Sequence, residues 1–343
     1  MTISVTHTSA GWLRGPGFDA FFIGGIAALA LVSGAVIAAR PELFLLIFLA
    51  DLWLLGYHHV VATFTRLCFD RASFEQHKAL VLYLPIAVAG GVMLVYSAVG
   101  TWALMSVYLY WQWWHYTRQS WGVSRAYVAK SRGRDTGNRL IGMLAFWSVP
   151  VAGILSVSAR SPEQFLWLPL RTLPVPGWLA QTAVALAVSA VLLWSIDQFR
   201  QWRRGQLARP YLLFMLSHFV IYATAYLYFT DINHGWVVIN IWHNTQYIAF
   251  VWMFNNRRFA SGVEARHRLL SMLSQPRHVW LYLLVCVGIS TAVYTAAART
   301  AQALALVPYM LIFYQTINFH HYLVDARIWK LRKPAVGTHV GIA

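Results

Sequence analysis

Histidine recurs in this sequence beside amides and carboxylates, inside otherwise apolar stretches. The segments are Tyr57-His58-His59-Val60-Val61-Ala62-Thr63, Trp114-His115-Tyr116-Thr117-Arg118-Gln119, the surroundings of His218, Trp242-His243-Asn244-Thr245-Gln246-Tyr247, and Asn318-Phe319-His320-His321-Tyr322-Leu323-Val324-Asp325. Neutral imidazole is the commonest metal ligand among side chains. Its ordinary alternative inside a membrane is a hydrogen bond between helices. A single histidine would favour that alternative, whereas His58, His59, His115, His218, His243, His320 and His321 together favour metal ligation.

Spacing adds partners to these ligands. Asn318, His321 and Asp325 fall at i, i+3 and i+7 on one helix face, His115 and Gln119 at i and i+4, His243 and Gln246 at i and i+3. A metal-bound imidazole donates its second N–H to a carboxylate, amide or carbonyl, which fixes the tautomer. Gln119, Gln246 and Asn318 are expected in that role. Asp325 is expected as the catalytic carboxylate and as a further ligand. Asp51, seven residues before His58, is expected as another supporting carboxylate or as a way in for protons. Neighbours in a doublet point about 100° apart, so His58/His59 and His320/His321 need not each supply two ligands. His218 has the least informative surroundings.

The elements that carry these residues follow from composition. The chain has 343 residues, 59% hydrophobic and 11% charged, with a mean hydropathy of +0.53. A soluble chain carries roughly a quarter charged residues. The apolar residues come in blocks of about twenty, enough to cross the hydrocarbon layer as helices. The expectation is an all-α polytopic transmembrane helix bundle, a single domain over 1–343. Its spans lie near 18–39, 43–65, 79–99, 101–124, 140–159, 178–198, 211–230, 235–254, 279–298 and 303–325. Of 27 lysines and arginines, only Arg40, Arg160, Arg171 and Arg299 fall on one side of that alternation. The positive-inside rule then places both termini in the cytoplasm, with the chain in a bacterial inner membrane. The net charge of +16 is read as anchoring to anionic lipids rather than as nucleic-acid binding. Cys68 and Cys286 stand too far apart in sequence for a thiolate metal site.

Counting from the basic boundary residues places all seven histidines in one slab, roughly 9 to 18 Å from the cytoplasmic edge. Imidazoles with at most a carboxylate suit iron, copper or zinc. A surplus of candidates over the four ligands of a zinc site favours two metals, or one metal with supporting histidines, and a location facing the reducing cytoplasm favours non-haem iron. The expected reaction is O₂-dependent oxidation of a lipophilic substrate, fed by a cytoplasmic electron donor. Two other readings remain: a proton- or ion-coupled transporter with a His/Asp relay, and a haem-b electron carrier with axial histidine pairs.

A resemblance supports the site without naming a reaction. The motifs are Trp12-x-x-Gly15-Pro16-x-x-Asp19-x-x-Phe22, His59-x-x-x-Thr63-x-x-Arg66, Trp114-His115-Tyr116-x-x-Gln119-x-x-Gly122, His243-Asn244-x-Gln246-Tyr247-x-x-Phe250-Val251-Trp252 and His320-His321-Tyr322-x-x-Asp325-x-x-Ile328-Trp329-Lys330. Together they resemble a family of histidine-rich bacterial integral membrane proteins. The broad plan is also similar to the Brp/Blh carotene-cleaving dioxygenases, a likeness of architecture only. The histidine boxes of membrane fatty-acid desaturases and hydroxylases are absent.

Overall fold

The computed structural model describes residues 11–131, 134–303 and 307–342, without the side chains of 307, 308 and 335. Arg132 and Gly133 of the basic stretch after the fourth expected span, and residues 304–306 of the tenth, lie outside the described residues.

The long helices are α1 (Pro16–Ala39), α2 (Pro41–Leu67), α3 (Arg71–Val99), α4 (Thr101–Lys130), α5 (Arg139–Arg160), α6 (Gly177–Arg203), α7 (Arg209–Tyr228), α8 (Ile232–Arg258), α9 (Pro276–Ala303) and α10 (Val307–Ile328). Among the described residues, seven of them, all but α4, α8 and α10, are long and apolar enough to cross a membrane. The chain is therefore an all-α, multi-pass membrane protein. The other three helices are as long but carry the polar residues singled out above. Leu29, Val32, Leu46, Ile86, Leu186 and Leu284 are exposed on the outer surface, as a face against lipid requires.

Local chemistry sets where these helices start. Asp70 accepts from the backbone N–H of Ser73 at 2.9 Å and caps α3. Asn138 caps α5 through the N–H groups of Leu140 and Ile141, and Asp231 caps α8 through that of Asn233. Each side chain satisfies donors that have no partner inside the helix. The Asp70 cap extends α3 well ahead of the expected start near 79, because Arg71, Glu75 and Lys78 give its first turns no apolar signal.

Among the described residues, three helices contain π-type turns: Ala20–Gly25 in α1, Leu52–Gly56 in α2 and Thr224–Tyr228 in α7. Such wide turns leave carbonyls free for other donors. The turn in α2 lies immediately before His58 and His59.

The core centres on α8, where Val237, Val238 and Ile239 have no exposed surface. Gly235 is what allows α7 to approach it, since a Cβ at that position would collide with the carbonyl oxygen of Ala225. Such close helix contacts need small residues.

Both ends of the described chain are tied to the same region. Asp19 accepts from the N–H groups of Leu13, Arg14 and Gly15 at 2.7, 2.9 and 3.0 Å and from Tyr127 Oη at 2.7 Å. This explains the Gly15-Pro16-x-x-Asp19 motif as a closed turn at the head of α1. Arg257, near the end of α8, donates to the carbonyls of Leu13 at 2.6 Å and Val340 at 2.5 Å.

Candidate metal centre

The site forms where α2, α4, α8 and α10 meet, each contributing a buried histidine: His59, His115, His243 and His321. Ring centroids lie 4.7 Å apart for His59 and His321, 5.0 Å for His115 and His321, 5.2 Å for His115 and His243, and 5.8 Å for His59 and His243. Ligand atoms of His59, His243 and His321 all lie within 4.8 Å of one another, as do those of His115, His321 and Asp325. The triads share His321, so the five residues make one contiguous set of donors that could hold a metal ion.

Hydrogen bonding fixes how two of these rings present themselves. His59 Nδ1 lies 2.6 Å from the carbonyl oxygen of Gly56, in the π turn of α2. A carbonyl only accepts, so Nδ1 carries the proton and Nε2 keeps a free lone pair. For His321 the proton is placed by a chain of contacts. Tyr247 Oη donates to Asp325 Oδ1 at 2.8 Å and has no second proton. It therefore accepts from Thr63 Oγ1, 2.7 Å away, and from Trp329 Nε1 at 3.0 Å. Thr63 Oγ1, its proton thus committed, accepts from His321 Nδ1 at 2.9 Å. The lone pair of His321 is again on Nε2, which lies 3.5 Å from Asp325 Oδ2.

The fit to a metal follows from what these nitrogens lack. Nε2 of His59, His115, His243 and His321 is buried and makes no hydrogen bond with any described residue. Leaving one buried polar atom unsatisfied costs about 1–3 kcal/mol. Four adjacent ones on converging helices are a strained arrangement for a purely structural cluster, and suitable for an ion that takes imidazole and carboxylate donors.

The surroundings hold the rings in place. Tyr116 stacks on His243 at 3.8 Å and Tyr322 on His115 at 4.2 Å. Gln119 hydrogen-bonds Asp325 Oδ2. Tyr116 Oη donates to Asn240, whose Nδ2 donates to Asp51 Oδ2 at 2.5 Å. Asp51 thus reaches the cluster through Asn240 and Tyr116, by way of His243 rather than His58. The π turn between Asp51 and His58 widens the helix, so a spacing of seven does not keep them on one face.

Other expected site residues belong to neither triad. His218 has both nitrogens engaged, Nδ1 with Ser120 Oγ at 2.9 Å and Nε2 with the carbonyl of Phe146 at 3.1 Å. That carbonyl is free because Pro150, four residues on in α5, has no N–H to donate to it. His218 replaces the missing helical bond. His320 turns outward, its Nε2 on the carbonyl of Leu80 at 2.7 Å and its ring stacked on Phe64. His58 is buried with Nδ1 on the Leu54 carbonyl at 3.2 Å, and it belongs to neither triad. Gln246 donates to the carbonyl of Phe22, and Asn318 to that of Tyr314. Thr63, Tyr247 and Trp329, which orient His321 and Asp325, had no role in the sequence reading beyond their places in motifs. The first two stand four residues after His59 and His243, a helical spacing that points to them.

A cavity of about 590 Å³ opens beside the cluster. His115, His243 and Asp325 form one part of its wall, Trp111, Trp114, Phe250 and Trp329 another. No family model matches the chain, and neither a curated protein nor a solved structure matches it. The functional reading therefore rests on this geometry.

Proposed function

We propose that the protein is a membrane-embedded non-haem iron oxygenase or oxidase acting on a lipophilic substrate. The observation that carries the reading is the convergence of four unpartnered Nε2 atoms beside Asp325, next to an aromatic cavity. His59, His115, His243 and His321 would hold one iron, or an adjacent pair, with Asp325 as a further ligand. Bound iron would supply redox chemistry with dioxygen, and a cytoplasmic donor would supply electrons.

The chain's own residues do the rest. Gly56 and Thr63 keep the His59 and His321 rings turned inward. Gln119 and Tyr247 hold Asp325 where it can exchange a proton through the Tyr247–Thr63 chain. The aromatic wall seats an apolar substrate and keeps water from it.

The same reading treats all ten long helices as spans. Burying the polar faces of α4, α8 and α10 against one another makes them compatible with lipid. The one-sided lysines and arginines support cytoplasmic termini and a bacterial inner membrane. The joint grip of Arg257 on Leu13 and Val340 supports placing both ends on one side.

The test is metal analysis of the detergent-purified protein. Iron should be present and should fall to background in His115→Ala, His243→Ala and His321→Ala. Full retention in all three would end the assignment, and a Soret band would give the site to haem instead. The crowded rings speak against haem, because a porphyrin between any two of them would displace the others. The transporter reading has one observation in its favour, the buried chain from Asp51 through Asn240 to Tyr116. A metal-free wild-type protein would favour it.

A further inference from the structure

The rim of the cavity differs in character from its wall. Arg118 and Arg125 from α4, with Lys330 and Arg332 from just beyond α10, line its outer part. Among the described residues none of the four is paired with a carboxylate. Asp325 is the cavity's acidic residue, and it is already engaged by Gln119 and Tyr247. Arg118 lies over Trp114 at 5.8 Å, and Trp114 is 47% exposed. The aromatic wall therefore continues from the imidazoles to the outer surface of the bundle.

Anchoring to lipid alone would scatter cations around the circumference. Here two separate segments bring four of them to one opening, and that opening leads to the metal centre. Positive charge without internal balance favours an anionic ligand, and the planar guanidinium fork of arginine matches two oxygens of a carboxylate or a phosphate. The cavity volume lies within the range of small-molecule sites, roughly 300–1,000 Å³. That suits one chain better than a whole two-chain lipid.

We infer that the cavity binds a single-chain amphiphile with an oxyanion head, a carboxylate or a phosphate. The head rests on Arg118, Arg125, Lys330 and Arg332. The chain lies along Trp111, Trp114 and Phe250, and its near part reaches His115 and His243. This names the substrate class for the proposed metal centre and rests on that reading only for the reaction, since binding at the rim needs no metal.

The experiment is photolabelling of the full chain in detergent with a hexadecanoate that carries a diazirine on its chain. The matching diazirine alcohol serves as the neutral probe, and metal content is measured on the same samples. The acid should label the α4 and α8 segments that line the cavity, and the alcohol at least about tenfold less, the factor for losing even one charge-assisted contact. Arg118→Gln combined with Arg332→Gln should lower labelling by the acid to the level of the alcohol while metal content stays at the wild-type value. Equal labelling by both probes, undiminished labelling of the double variant, or labels outside the cavity would overturn the proposal. If the variant does not fold, the comparison of acid and alcohol on the wild type decides alone. Dodecyl phosphate competing better than dodecanoate assigns a phosphate head, and the reverse a carboxylate. Competition by inorganic phosphate alone would overturn the amphiphile in favour of a small-anion site. A wild-type protein without metal that still distinguishes acid from alcohol would sink the oxygenase reading and leave this one standing.

Discussion

His321 and His218 are both buried histidines in helices, and the structure gives them opposite situations. His321 uses one nitrogen on Thr63 and leaves the other beside three more imidazoles. His218 has both nitrogens satisfied. The two should therefore fail differently when changed. His218→Ala should destabilise the protein by about 1–3 kcal/mol, since Phe146 loses its donor, and bound metal per folded molecule should not change. Tyr247→Phe should do the reverse. It removes the donor to Asp325 and should weaken metal affinity roughly 10- to 100-fold, as loss of a supporting hydrogen bond does at metal sites. Parallel thermal melts and metal titrations would show either pattern, and equal effects on both quantities would contradict the division. Counting residues along the helices gives an expected depth but no direction, so it cannot tell that His320 turns toward Leu80 while His321 turns inward.

Helices supply that direction, and irregular turns modify it. Asp51 and His58 read as one face under regular α geometry, and the π turn over Leu52–Gly56 separates them. That turn also supplies the Gly56 carbonyl that orients His59. Apolar blocks indicated where the long helices run, since twenty residues of one character override local detail. They carried no signal for three wide turns whose residues are ordinary helix formers and glycines. Close approach between helices was equally hidden. Gly235 sits in α8 where a Cβ would meet the backbone of α7. Gly235→Ala should lower stability by about 1–3 kcal/mol, the usual range for overfilling a packed core, and push α7 away. Since α7 carries His218 and not a ligand, metal stoichiometry in the folded fraction should hold, which a metal assay beside a melt would test.

Across the whole molecule, the turn between α2 and α3 is tied to the end of α8 and the segment just beyond it. Asp70, between α2 and α3, meets Arg258 and His267 at 3.2 Å each and takes two hydrogen bonds from Ser73. Burial pushes its carboxyl up, but the Ser73 bonds and the charges of Arg258 and His267 together outweigh burial and hold it below the ordinary 3.8. A carboxyl lowered on folding stabilises the folded state above its unfolded value, and that contribution is lost as pH falls through the folded one. Thermal midpoints should therefore drop below about pH 4, and Asp70→Asn should start lower and show a shallower acid drop. A variant as steep as the wild type would show that other carboxylates dominate. This clasp was not legible in the sequence because its members are 197 residues apart at the extremes (Asp70 to His267), and nothing in local spacing links them.

The pairing of Pro150 with His218 has a consequence for descent. Alone, neither residue suits its place: a proline inside a helix leaves a carbonyl bare, and a histidine in lipid needs somewhere to donate. Each excuses the other. Lineages carrying this fold should keep the two together or exchange them together, and a chain with an ordinary residue at 150 should be free to hold an apolar one at 218.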